Sequence, residues 1–131
     1  MNLPNVGQKA SRTRSFSAED VAEYRALTGD PPAKTGPGTV PPGILGGMFS
    51  DLLGTRLPGR GTNWLKQSLQ FTAPARIGDA LTATVEIVRV RPDKALINLS
   101  TVLRDSQGVL ICRGEALVLV KEHEAVLEGQ T

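Results

Sequence analysis

Apolar positions along the chain follow two different periods, and the change between them falls near residue 60. Before it the spacing is helical; after it apolar and polar residues alternate. Ser17 is a good helix cap, Asp20 stands three positions on to close a capping box, and Phe16 can staple against Val21. With Gly29 as a stop, 18–28 reads as a helix carrying Val21, Tyr24 and Leu27 on its apolar side. The segment 40–59 is far more apolar, and Asp51 is its one charge before Arg56. Proline at the start and Gly54 at the end frame a helix over 42–53 that presents Ile44, Leu45, Met48, Leu52 and Leu53 to a core. Its paired glycines, Gly46 and Gly47, cost a helix about 1 kcal/mol each relative to alanine. Packing must outweigh that cost, with either a neighbouring sheet or a ligand passing close to the backbone.

The second half reads as strands. In 63–71, Leu65, Leu69 and Phe71 alternate with Lys66, Ser68 and Gln70, which leaves Trp64 on the polar face, at a dimer seam or stacked on a ligand. In 81–89, Leu81, Ala83, Val85 and Ile87 alternate with Thr82, Thr84 and Glu86; Val88 and Val90 then change faces, the mark of a bulge. Strands at 95–103 and 109–120 follow, with turns at 57–61, 91–94 and 105–108 and a bend at 73–79. A weak edge strand fits 7–14. The stretch after Asp30 holds five prolines and two glycines up to Pro42, so 30–42 reads as a stiff extended loop. Strands joined by tight turns predict an antiparallel meander. Helices segregated ahead of strands predict the α+β class: a curved antiparallel sheet wrapped around one long central helix, the hotdog fold. Val88, Val90, Leu117 and Leu119 form a second apolar face that a partner copy would cover, so a dimer is expected.

Composition narrows the class. The 131 residues suffice for one domain with its own core, about 6–121 with frayed ends. The net charge of +2 is scattered, and no basic block stands beside aromatics, which argues against nucleic acid. No apolar run is long enough for a membrane span, and the first residues lack the apolar centre of a secretion signal. A lone cysteine, Cys112, fits a reducing cytoplasm and alternates with core positions as an inert buried thiol. The single histidine, His123, leaves no metal-ligand cluster.

Four stretches carry a family resemblance: LTGD (27–30), FSDLLGTRLPGRGT (49–62), QSLQFTAPARIGDALTATVEI (67–87) and RGEALVLV (113–120). Together they resemble the MaoC-like, (R)-specific enoyl-CoA hydratases over about 16–120. The resemblance implies a homodimeric hotdog that adds water reversibly to a trans-2-enoyl-CoA, with coenzyme A as part of the substrate and no other cofactor. In that family an Asp and a His in an Asp-x-Asn-Pro-x-His loop hold the water, and a backbone N–H at the start of the central helix stabilises the enolate oxygen.

Carried over residue by residue, the motif is degenerate. Asp30 matches the family's Asp, but Pro32 stands for Asn, Ala33 for Pro and Thr35 for the catalytic His. Around Pro41, Pro42 and Gly43 the His-Gly that precedes the family's helix is also gone. Ser50 matches a serine that hydrogen-bonds within the site, and Gly43 is the candidate oxyanion N–H. A solvated Lys34 sits far above neutral pKa and makes a poor replacement acid. Asp30 either serves alone as base or caps the turn after Gly29. Gly46, Gly47 and Thr35 are expected near the acyl chain, and Arg56, Arg60 and Lys66 near the CoA phosphates, with plain surface charge as the alternative. Three functions fit: a weakened or altered hydratase, an acyl-CoA thioesterase using Asp30, or a non-catalytic acyl binder that pairs with an active relative in a heterodimer.

Overall fold

The computed structural model describes residues 4–29, 38–59 and 62–120. The expected loop residues Asp30, Lys34 and Thr35, together with Arg60 and His123, lie outside them. In chain order the elements are β1 (Lys9–Arg14), α1 (Ala18–Thr28), α2 (Pro42–Thr55), β2 (Thr62–Phe71), β3 (Leu81–Arg91), β4 (Leu96–Arg104) and β5 (Leu110–Val120). One antiparallel sheet takes all five strands in the order β1-β3-β4-β5-β2.

Helix α2 is the rod against which the sheet curls. Leu45, Met48, Phe49, Leu52 and Leu53 are buried on one side of it, and the inner sheet positions Leu81, Ala83, Val85, Ile87, Ile97, Leu99, Leu103, Ala116 and Val118 close over them. Thr101 interrupts that inner face: it is fully buried, and its hydroxyl has no hydrogen-bond partner among the described residues. An orphaned hydroxyl of this kind costs roughly 1–3 kcal/mol. Strand β2 passes close to β5 at Gly114, where an added Cβ would run into the Ser68 carbonyl, 2.8 Å from its carbon, and lie 3.1 Å from Leu69 Cα. Only a residue without a side chain lets β2 fold this closely over β5.

Several expectations hold and several need correction. Helix α1 has the expected bounds, and its capping box is formed: Asp20 N–H donates to Ser17 Oγ at 3.0 Å, and Ser17 N–H donates to Asp20 Oδ2 at 2.9 Å. Val21 is buried and Tyr24 half-buried, but Leu27 is 88 % exposed. Six residues turn a helix by about 600°, so Leu27 never shared a face with Val21. Helix α2 runs past Gly54 to Thr55, and Arg56 is its C-cap. The bulge appears between Ile87 and Arg89, leaving Val88 exposed.

The strands are not a simple meander. Only β3-β4-β5 is one, while β2 crosses to the far edge and pairs with β5. Residues 72–80 are therefore a crossing segment: Val40 N–H donates to Ala75 O, Ile77 N–H to Gly38 O and Gly78 N–H to Phe16 O. A second bulge, between Trp64 and Lys66, resets the phase of β2. Trp64 then pairs with inward-facing Val118 rather than lying on the polar face, and Leu65 becomes the extra, exposed residue. Of the expected second apolar face, Leu117, Leu119 and Val90 are half-buried and Val88 is exposed.

Candidate active site

The chemistry of the site begins at the first turn of α2. Pro41 is the N-cap and Pro42 the first helical residue, so neither brings an amide hydrogen, and no side chain caps the helix. Ile44 and Leu45 both donate to Pro41 O, at 3.1 and 3.4 Å. The first amide hydrogen of the helix is thus that of Gly43, an exposed residue. A free N–H at a helix start is a ready donor to developing negative charge, helped by the helix dipole. Beside it opens a cleft of about 310 Å³ lined by Thr39, Val40, Pro42, Leu45, Phe71 and Pro74, where the crossing segment passes the helix start. A larger cleft of about 520 Å³, around Gly114, Ser100 and Ser68, does not touch α2.

Along α2 the side away from the core carries Gly43, Gly47, Ser50 and Gly54, all exposed, at spacings of four, three and four residues. These spacings stack them in one shallow strip down the helix. Gly46, half-buried, lies at the strip's edge. The expected close approach to Gly46 and Gly47 is made by none of the described residues: a Cβ on either would meet none of them within 4 Å. Gly43 is the crowded one, because the Tyr24 ring lies on it, with Cζ 2.8 Å from where a Cβ would be. Nothing in the sequence signals that Tyr24 lies against the start of α2. A tyrosine on a helix face reads as core, and no pattern links position 24 to position 43.

Of the expected basic residues, the two described, Arg56 and Lys66, do not gather there. Arg56 caps the opposite end of α2, roughly 20 Å away at 1.5 Å per residue, where its Nη1 donates to Ser11 O at 2.9 Å. Nearby Arg12 forms an ion pair with Asp51, tying β1 to the helix. Lys66 is exposed on β2. Cys112 is buried as expected, and desolvation pushes its thiol above the usual range. Among the described residues no group of His, Cys, Asp and Glu could hold a metal ion, and no helix is long and apolar enough to cross a membrane.

No family model matches the chain. Individual relatives do. It is 40% identical over 124 residues to an (R)-specific enoyl-CoA hydratase of Aeromonas caviae, covering 86% of this chain and 92% of the relative. It is 36% identical over 125 residues to the (R)-specific enoyl-CoA hydratase of Rhodospirillum rubrum, covering 87% and 86%. Among solved structures, an (R)-hydratase from Aeromonas caviae superposes with a TM-score of 0.84 at 36% identity, covering 89% of this chain and 97% of that one. An unliganded R-hydratase from Pseudomonas aeruginosa gives 0.81 at 30% identity, covering 89% and 82%. A sheet curled around a central rod, a bare amide at the rod's start and this degree of identity lead to one conclusion: the chain belongs to the (R)-specific enoyl-CoA hydratase family.

Proposed function

We propose that this chain binds acyl-CoA thioesters and adds water to a trans-2-enoyl-CoA with a reduced acid–base apparatus, in which Asp30 works without a histidine partner. The observation that carries the reading is the uncapped start of α2, where Gly43 N–H has no partner among the described residues and could meet a thioester oxygen. Water loses a proton to the Asp30 carboxylate as its oxygen bonds to C3. The electron pair moves through C2 to the thioester oxygen, facing Gly43 N–H. Asp30 then returns the proton to C2, so that one water is consumed and the carboxylate is regenerated. Ser50, on the same helix strip, is within the run of the acyl chain, and Gly46 and Gly47 leave width for it. Thr35, which stands where the family's histidine would be, has no useful basicity. Removing one member of an acid–base pair costs on the order of 10²–10⁴-fold in rate. Turnover well below that of a hydratase with both groups follows.

The binding unit is a dimer in this reading. Strand β2 is an open sheet edge and exposes Trp64, Leu65 and Phe71, a surface suited to a second copy or to an active relative. Of the described residues expected to meet CoA phosphates, Lys66 is exposed on β2, while Arg56 is engaged with Ser11.

The test is incubation of the purified chain with crotonyl-CoA, following enoyl absorbance and free thiol separately. Loss of enoyl signal without thiol supports hydration. Thiol release replaces it with the thioesterase reading, and binding without either signal makes the chain a non-catalytic acyl-CoA binder.

A further inference from the structure

Tyr24 is the chain's only tyrosine. It sits in the last turns of α1, half-buried, with its carbonyl accepting from Thr28 Oγ1 at 3.0 Å. Its ring occupies the place that a side chain at position 43 would take: a Cβ there would lie 2.8 Å from Cζ and nearer still to the hydroxyl oxygen. The hydroxyl therefore rests against the backbone of the residue that offers the first amide hydrogen of α2. No hydrogen bond joins that hydroxyl to another described residue. The helix start is also short of donors. Pro41 and Pro42 bring none, and the amides of Ile44 and Leu45 are taken by Pro41 O. An oxygen gaining charge beside Gly43 would find one backbone donor there, and a phenol hydroxyl lies against the same backbone.

We propose that Tyr24 Oη–H is the second donor to the thioester oxygen, acting beside Gly43 N–H. The inference rests on the hydration reading given above. Tyr24 keeps its proton throughout: its hydrogen bond shortens as charge builds on the enolate oxygen and relaxes when C2 takes the proton from Asp30. A donor of this kind acts mainly in the transition state. Gly43 is then required twice, once for its N–H and once because any side chain would displace the phenol from its seat.

The direct test is Tyr24→Phe, which keeps the ring and its packing and removes one hydroxyl. The expected result is an unchanged melting temperature, an unchanged KM for crotonyl-CoA and a kcat lower by about 10²–10³-fold, the size typical of one lost oxyanion donor. A second measurement reads the hydroxyl without turnover. With ring-labelled tyrosine the chain gives one ¹³Cζ resonance, and saturated butyryl-CoA, which cannot be hydrated, should shift it on binding. If butyryl-CoA binds and the resonance stays put, Tyr24 is a packing residue and the inference is overturned while the hydration reading stands. A Tyr24→Phe variant with wild-type kcat overturns it equally. If the chain binds but does not turn over, the resonance alone decides. If butyryl-CoA does not bind at all, the thioester reading falls and takes this inference with it.

Discussion

Replacing Gly114 by alanine adds one methyl group where the β2 backbone already lies. The new Cβ would sit 2.8 Å from the Ser68 carbonyl carbon and 3.1 Å from Leu69 Cα. The Ser68 carbonyl oxygen lies nearer still, well inside contact distance, so β2 must retreat by more than about 1 Å. Ser68 and Leu69 are in register with Glu115 and Gly114, so that retreat pulls on the hydrogen-bonded ladder itself. Overpacking of this kind costs about 1–3 kcal/mol. Loss of glycine's freedom in the unfolded chain offsets about 0.4–1 kcal/mol. The net is a destabilisation of about 1–2 kcal/mol. For a chain of this length that lowers the melting temperature by roughly 3–10 °C. Urea unfolding at fixed protein concentration, followed by the fluorescence of Trp64 on β2, reads the change. The same substitution at Gly46 or Gly47 meets none of the described residues within 4 Å and should stabilise the helix by about 0.5–1 kcal/mol. It should also raise KM for crotonyl-CoA if the strip on α2 carries the acyl chain. A Gly114→Ala variant as stable as the wild type would refute the claim that contact with β2 fixes this residue.

Thr101→Val replaces a buried, unpartnered hydroxyl by a methyl of the same shape and should raise stability by about 1–2 kcal/mol in the same urea assay. Ser17→Ala removes the α1 cap and should cost about 1 kcal/mol. The Ser17 hydrogen bonds hold the Asp20 carboxyl below its usual range. Its folded pKa is depressed, so its contribution is present above the unfolded value near 4 and is lost as pH falls through the folded one. Acid unfolding of Ser17→Ala should show a smaller loss in that window. The Cys112 thiol, raised by burial, should react with a disulfide reagent at pH 8 only at the rate of unfolding.

Much of the fold is legible in the sequence because its signals are local. Ser17 and Asp20 mark a helix start by chemistry that needs nothing else, and α1 begins where they place it. The face change at Val88 and Val90 is a bulge visible in the alternation itself. What is not legible depends on long-range partners. The bulge at Trp64–Lys66 leaves no trace in the pattern, since Trp64 and Leu65 are both apolar and either phase looks consistent. The crossing of 72–80 to place β2 beside β5 is decided by tertiary hydrogen bonds to Gly38, Val40 and Phe16. Gly43 and Ser50 lie exposed on α2, the helix that periodicity and family likeness mark in the sequence. The contact of Tyr24 with Gly43 is hidden because the two stand 19 positions apart, on different helices.

The proposed role of Asp30, carrying the proton both ways without a histidine partner, is tested most directly by steady-state hydration of crotonyl-CoA by the wild type and by Asp30→Asn. The expected result is slow loss of the enoyl signal without free thiol in the wild type, falling by about 10²–10⁴-fold in the variant while butyryl-CoA still binds. Equal rates from the two proteins, or thiol release in place of hydration, would contradict it.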